Sequence, residues 1–448
     1  MNTSSSRSSA GLPRQRIAVI GSGISGMAAA YYLARHHEVH VFESAERLGG
    51  HTATMDVETP DGREWAIDTG FIVFNDRTYP HFQRLLAQLG VAYQPTEMSF
   101  SVHSTTQDFE YNGHTLLSLF AQKRNVLRPR FYRLLRDIMR FNTQAAADLD
   151  NGALTEGATL GEYLDTKRYS QVFRDYYLLP MGAAIWSASI EDIAGFPLIF
   201  FVRFFRNHGL LSVNDRPQWF TLEGGSRAYI PRLTEPYAER IHLGCELRRI
   251  TRDTDGVTLE HSDGRSERFD QVVLACHAPQ ALALLGDASD VEREVLSAIT
   301  TQRNEVVMHT DTSLLPKRRA AWASWNYRLD GREDAQRVSV TYDMNILQCL
   351  DDAEHPPRDT FCVTLNDSDA IDPDKVLGRY AYDHPRFTLH AEAAKARFAE
   401  ISAVEGYVGG PVGRTHFCGA WWRNGFHEDG VWSALRVAEA LGASEADD

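Results

Sequence analysis

The sequence predicts an α/β fold with a Rossmann-like nucleotide-binding unit, and three observations carry that prediction. Ile17 to Ile20 is a short apolar run of the kind a buried parallel strand needs. Gly21-Ser22-Gly23-Ile24-Ser25-Gly26 follows at once and opens onto a helix over Ala28 to Ala34. A second strand, Glu38 to Phe42, ends in Glu43, 22 residues after Gly21. In this order the first glycine permits the tight turn, the second lets backbone approach a pyrophosphate, and the third lets helix pack on strand. The helix N-terminus then faces the phosphates. Glu43 is placed to bond a pair of ribose hydroxyls, so the pattern points to a dinucleotide whose ribose is unphosphorylated.

Composition bounds the rest. The chain has 448 residues, 43% hydrophobic and 24% charged, which fits a globular protein of up to about three domains. Forty-six Lys and Arg against 60 Asp and Glu leave a net charge of −14, so nucleic acid is not an expected partner. No stretch approaches the roughly 18 uncharged apolar residues of a membrane-spanning helix; the longest candidate, Phe196 to Leu211, contains Arg203 and Arg206. Residues 1–15 are Ser-rich without an apolar core and read as a disordered tail, not a secretory signal. Cys245, Cys276, Cys349, Cys362 and Cys418 form no CxxC pair, which argues for reduced thiols in a cytoplasm and against a zinc cage. No metal-ligand spacing is present.

Three later segments indicate which dinucleotide is meant. Arg47-Leu48-Gly49-Gly50-His51 is a second backbone-exposing turn that can continue along an extended cofactor. Residues 241–275 read as two or three strands with turns at Asp255-Gly256 and Asp263-Gly264, ending in Val272-Val273-Leu274-Ala275. Thr415 to Gly419 is strand-like and leads through Trp421 to Gly430 into a helix over Val431 to Leu441. That helix N-terminus suits negative charge developing on a reduced isoalloxazine.

On these residues the sequence resembles flavin-containing amine-oxidase-type flavoproteins. More narrowly it is similar to the FAD-binding N-terminal half of plant cyclopropane fatty-acid synthases and their bacterial stand-alone relatives. The blocks carrying this likeness are Asp68 to Asn75 with Tyr79-Pro80, Phe120 to Asn125, Ile185-Trp186-Ser187, Arg216 to Trp219, Ser324-Trp325-Asn326, Thr341-Tyr342 with Asn345 to Gln348, and Trp421 to Gly430. The resemblance implies an FAD domain of the amine-oxidase type assembled from residues 16–80, 222–285 and 405–448. An α+β substrate domain, 81–221 and 286–404, is interleaved with it. Gly224-Gly225-Ser226 and Gly409-Gly410-Pro411 punctuate the returns to nucleotide-binding strands.

For FAD the expected residues are Gly21, Gly23, Ser25, Gly26, Glu43, Arg47, Gly49, Gly50 and His51, with Leu247 offering backbone to adenine and Gly419, Gly430 and Val431 in the C-terminal piece. Phe74, Trp421, Trp422 and Phe426 are expected near the flavin ring, with Trp421 and Phe426 among the candidate catalytic groups and His427 as a proton relay. His427, Glu428 and Asp429 equally suit helix capping. Trp186, Trp325, Asn326, Tyr342 and Asn345 complete a substrate pocket that the resemblance implies, although Tyr342 also suits a buried structural bond.

Amine oxidases of this fold place a lysine near the flavin. The corresponding strand here, Asn304 to His309, has none, and Phe426 carries no hydroxyl. The resemblance therefore implies an FAD-dependent oxidoreductase or isomerase that takes a hydride from an unsaturated or branched fatty-acyl chain. Two alternatives stand beside it: an amine oxidase, and a flavin-bound accessory module for a separate methyltransferase. Asn125 to Phe141 is expected to be helical after Pro129, with Phe131, Leu134, Leu135 and Ile138 on one stripe and Arg133, Arg136 and Arg140 opposite. Residues 123–140 form the strong basic cluster of an acidic protein, suited to a solvated helix face or to peripheral contact with an anionic inner-membrane face. Phe196 to Leu211 reads as a buried helix or as the lining of an acyl channel.

Overall fold

A computed structural model of the protein describes residues 13–212, 215–329, 339–352, 354–402 and 413–443. The chain divides into two compact units. One comprises Met1–Gly50, Ile230–Ser297 and Lys395–Asp448, the other His51–Tyr229 and Ala298–Ala394. Compactness thus divides the chain at 50 and 230, whereas the family pattern set expected boundaries at 80 and 222. The Gly409-Gly410-Pro411 punctuation lies outside the described residues.

The first unit is organised by a five-stranded parallel sheet. Strand β1 (Arg16–Ile20) lies between β2 (Glu38–Phe42) and Gln271–Leu274, with Ile241–His242 and Thr415–Phe417 at the edges. Ile17, Ala18, Val19, Val272, Val273 and Leu274 are all fully buried, as the strands of a covered parallel sheet require. Helix α1 (Ile24–Leu33) starts earlier than the expected Ala28 and is buried along nearly its whole length against the helix His427–Ala440. Leu247–Asp253, Gly256–His261 and Ser266–Phe269 form a separate antiparallel sheet, turning at the two Asp-Gly pairs. The fully buried side chain of Arg252 ties this sheet to its surroundings, donating to Glu292 at 2.6 Å and to Thr415 Oγ1 at 2.9 Å.

The second unit carries a seven-stranded sheet in the order Val376–Pro385, Thr301–His309, Cys362–Leu365, Val340–Asp343, Trp325–Leu329, Phe100–Ser104, Phe109–Asn112. It is antiparallel except where Trp325–Leu329 runs parallel to Phe100–Ser104. Among its helices are Pro129–Asp150, Leu179–Trp186 and Leu198–Asn207. The last is less uniformly apolar than its sequence suggests, because Phe201, Val202, Phe204 and Phe205 turn inward while Arg203 and Arg206 stay exposed. Among the described residues no helix is long and apolar enough to cross a membrane.

Candidate functional site

In the first unit, the glycines after β1 fall into two kinds. Gly21 adopts φ +104°, and a Cβ there would stand 3.0 Å from the Ala275 carbonyl oxygen. A Cβ on Gly26 would lie 2.0 Å from the Gly21 carbonyl oxygen. These two are glycine because backbone crowds them. Gly23 has an ordinary φ of −65°, and nothing lies within 4 Å of where its Cβ would be. Its smallness keeps a space open at the start of α1, where backbone N–H groups point outward and a pyrophosphate fits.

The second glycine turn closes against the first. Gly49 N donates to the Ser22 carbonyl at 3.0 Å, and a Cβ on Gly50 would come within 3.3 Å of Gly23 Cα. Glu43 ties the two together: one carboxylate oxygen accepts from Ser22 N at 2.8 Å and Ser22 Oγ at 2.7 Å, the other from Ala45 N at 2.9 Å. Ser22 is thus a site residue that sequence reasoning missed, because the glycine fingerprint leaves its position unspecified. Arg47 is exposed and folds over its own turn, donating to the Leu48 and Gly50 carbonyls at 3.2 and 2.8 Å. Leu247 is half-buried on the antiparallel sheet, opposite His261.

The C-terminal piece is equally constrained. Gly419 N donates to Ser433 Oγ at 2.9 Å, and a Cβ on Gly419 would strike the Trp421 ring. Trp421 packs tilted against Trp422, ring centroids 4.2 Å apart, and donates its indole N–H to the Cys276 carbonyl at 3.1 Å. The following helix begins at His427, before the expected Val431, because Asp429 accepts from the N–H groups of Phe426 and Asn424 at 3.0 and 3.1 Å. Burial raises the Asp429 carboxyl to about 6. His427 is buried too, and burial lowers it to about 3, leaving a neutral imidazole at physiological pH. Gly430 packs where this helix meets α1, since a Cβ there would lie 2.8 Å from Ile24 Cγ2 and 2.9 Å from Ser25 Oγ. Val431 is fully buried.

In the second unit Trp325, Asn326 and Tyr342 lie on the paired strands Trp325–Leu329 and Val340–Asp343, with Asn345 just beyond them. Phe74 is fully buried in a cluster with Tyr79, Phe82, Tyr93 and Phe220. Asn326 bonds entirely within the scaffold, accepting from Ser101 Oγ and Ala323 N and donating to the Ala323 and Thr341 carbonyls. Asn345 likewise accepts from Phe361 N and donates to Asp351 and the Asp359 carbonyl. Trp325 meets Tyr342 edge to face at 5.1 Å, and burial raises the Tyr342 hydroxyl above its usual range. The rings of His51 and Tyr382 stand 5.3 Å apart.

Trp186 lines a cavity of about 140 Å³ within the second unit. Its ring lies 5.0 Å from Phe196 and 6.1 Å from Phe387, and the buried indole N–H has no hydrogen-bond partner among the described residues. Gln302, His384 and Arg386 contribute the polar wall. Arg386 pairs with Asp192 at 2.6 Å. Neither His384 nor Arg386 was singled out from sequence, since nothing local marks residues that only tertiary folding brings to Trp186.

The comparisons with known proteins agree with this architecture. A profile of the family described as flavin containing amine oxidoreductase matches residues 24–442. AofH of Mycobacterium tuberculosis, provisionally named a flavin-containing monoamine oxidase, is 25% identical over 348 residues, 73% of this chain and 70% of AofH. Among solved structures, cyclohexylamine oxidase from Brevibacterium oxydans superposes with a TM-score of 0.65 at 19% identity, covering 96% of this chain and 99% of that one. A fatty acid isomerase from P. acnes that produces CLA gives a TM-score of 0.64 at 16% identity, covering 94% and 98%. The open space at Gly23 and the outward amides of α1 fit the pyrophosphate of FAD. With the family match across nearly its whole length, the chain belongs to the flavin containing amine oxidoreductases and is an FAD-dependent oxidoreductase.

Proposed function

We propose that the protein takes a hydride from an allylic or branched position of an unsaturated fatty-acyl chain. FAD, when bound, supplies the hydride acceptor. The observation that carries this reading is the cavity beside Trp186, whose wall joins aromatic rings to a partnerless indole N–H and a guanidinium. An apolar chain packs on Phe196, Phe387 and the Trp186 ring, while its carbonyl or carboxylate accepts from Trp186 Nε1. At about 140 Å³ the cavity takes a ring-sized portion of such a chain, not its whole length.

An ammonium group would also meet those ring faces, but would need an unmatched buried carboxylate beside them. Asp192 is already matched by Arg386, Glu191 is exposed, and the strand Thr301–His309 contains no lysine. The resemblance of the blocks named above to the flavin half of plant cyclopropane fatty-acid synthases supports the same reading. An allylic carbon releases a hydride readily because the cation left behind is delocalised; return of a hydride at the far end of the allyl system shifts the double bond, whereas loss of a proton, with the two electrons passed on to an external acceptor, adds one.

The test is anaerobic mixing of the purified flavoprotein with a panel of unsaturated fatty acids and, separately, with cyclohexylamine and putrescine. The acids are expected to bleach the visible flavin absorbance or to return with a moved double bond by mass spectrometry, with no response to the amines. Bleaching by amines and silence across the acids would overturn the proposal in favour of an amine oxidase. Turnover by this chain alone would also remove the accessory-module alternative.

A further inference from the structure

We infer that residues 113–140 of the second unit, with Arg319, form a docking surface for an anionic lipid bilayer. Ten large hydrophobic side chains are exposed among the described residues, and six of them, Leu116, Leu117, Val126, Leu127, Tyr132 and Met139, lie in this one segment. Scattered exposed apolar residues are ordinary, but their concentration in one place is not. Leu116, Leu117 and Leu127 are the extreme cases, at 77%, 87% and 85% exposure.

Local structure explains why these leucines point outward. The turn of helix Leu116–Leu119 is fixed by a capping box between Thr115 and Ser118, and Ser118 Oγ donates to the Asn112 carbonyl at 3.2 Å, so the small residue faces inward and the leucines outward. Asn125 is fully buried and donates to the Glu110 carbonyl at 3.1 Å, which leaves its neighbours Val126 and Leu127 on the outside. Tyr132 donates to the Val126 carbonyl at 2.9 Å, joining this tip to the helix Pro129–Asp150. Along that helix Phe131, Leu134 and Phe141 are buried, while Tyr132, Arg133, Arg136 and Met139 are exposed.

Charge selects the occupant. Between 113 and 140 the sequence has seven Lys and Arg and one acid, Asp137, which is buried. The protein as a whole carries −14, so the cluster opposes the overall sign. Helix Leu116–Leu119 also packs beside Arg319–Ala321, bringing Arg319 to the same leucines, while the neighbouring Arg318 is paired with Glu110. Exposed leucines within a basic rim match the acyl boundary and phosphates of an anionic bilayer. A second copy docking through the same face would set two basic rims against each other, and a neutral apolar partner would not need the rim. The inference stands apart from the choice of substrate.

The test is sedimentation of the full-length flavoprotein with vesicles of phosphatidylglycerol and phosphatidylcholine, or of phosphatidylcholine alone, at low and high salt. Two variants accompany it: Leu116→Asp with Leu117→Asp and Leu127→Asp, and Lys123→Glu with Arg133→Glu and Arg136→Glu. Flavin content and unfolding temperature confirm that each is folded. The wild type is expected to bind the anionic vesicles, more weakly as salt rises. The leucine variant should bind at least tenfold more weakly, and the charge variant should lose the preference for phosphatidylglycerol. Anything short of all three results overturns the inference. So does a dimer in sedimentation equilibrium that the leucine variant dissociates while vesicles are ignored.

Discussion

The turn after β1 and the cavity beside Trp186 prepare for ligands by opposite means. At the turn, recognition is made of backbone: Gly21 and Gly26 are pressed against carbonyl oxygens, Gly23 borders open space, and Glu43 holds two loops in register. In the cavity, recognition is made of side chains, with rings forming the wall and one indole N–H and one guanidinium giving it direction. Backbone sites tolerate almost no added volume at their packed positions. Side-chain sites lose function by degrees, because each wall residue acts on the ligand separately.

The largest expected effect tests the rigid half of that contrast. Gly26→Ala drives a methyl group into the Gly21 carbonyl and is expected to cost about 3 kcal/mol, seen as a lowered unfolding temperature together with loss of flavin absorbance.

Acidification acts on both units and ranks next. His416 and His427 in the first unit and His103, His208 and His309 in the second are buried, and burial lowers each to about 3 or 4. Between the ordinary histidine value near 6.5 and those depressed values the unfolded chain binds more protons, so their contribution is complete above that range and is lost as pH falls. Asp68 and Asp429, raised to about 6, and Asp343, raised to about 7, act oppositely: they favour the folded state at low pH and lose that contribution as pH rises through those values. The histidines prevail, so the net expectation is a loss on the order of a few kcal/mol between pH 7 and 5. Calorimetry at the two pH values checks this, and a higher unfolding temperature at pH 5 would refute it.

Asn326→Ala leaves the Ala323 amide and carbonyl without their side-chain partner and should cost about 1–3 kcal/mol in urea unfolding. Flavin content and fatty-acid binding should be unchanged if this residue serves the scaffold alone.

The smallest effects separate the two sites most cleanly. Gly23→Ala should alter stability by less than about 0.5 kcal/mol, because no protein atom meets the new methyl group. It should nevertheless weaken FAD retention tenfold or more, about 1.4 kcal/mol. Trp186→Phe keeps a ring and removes the N–H, and should weaken fatty-acid binding about tenfold in a flavin-perturbation titration while FAD is fully retained. Equal losses of both ligands in both variants would break the comparison.

How much could be read beforehand follows from the same difference. The β1–α1–β2 unit was legible because its spacing encodes geometry directly, and the strands at Gln271–Leu274 and Thr415–Phe417 showed as apolar runs. Asn326 shares a sequence block with Trp325, and Asn345 one with Tyr342, yet both asparagines bond entirely inside the scaffold, which no spacing reveals. The basic segment was visible as composition. The leucines that crown it were not, since Leu116 and Leu127 look like any core residues until the capping bonds around them are seen.

By itself the sequence determined the nucleotide-binding topology, the flavin family and the acidic surface with its basic exception. Those properties depend on local order along the chain, where glycine, apolar runs and charge each have a fixed steric or electrostatic meaning. Only the tertiary structure decided that Gly23 guards space while Gly26 guards packing, that Trp186 meets Phe387 and Arg386 around a cavity, and that three leucines face outward. Residues remote along the chain become neighbours through the packing of whole elements, and a one-dimensional pattern does not specify that packing.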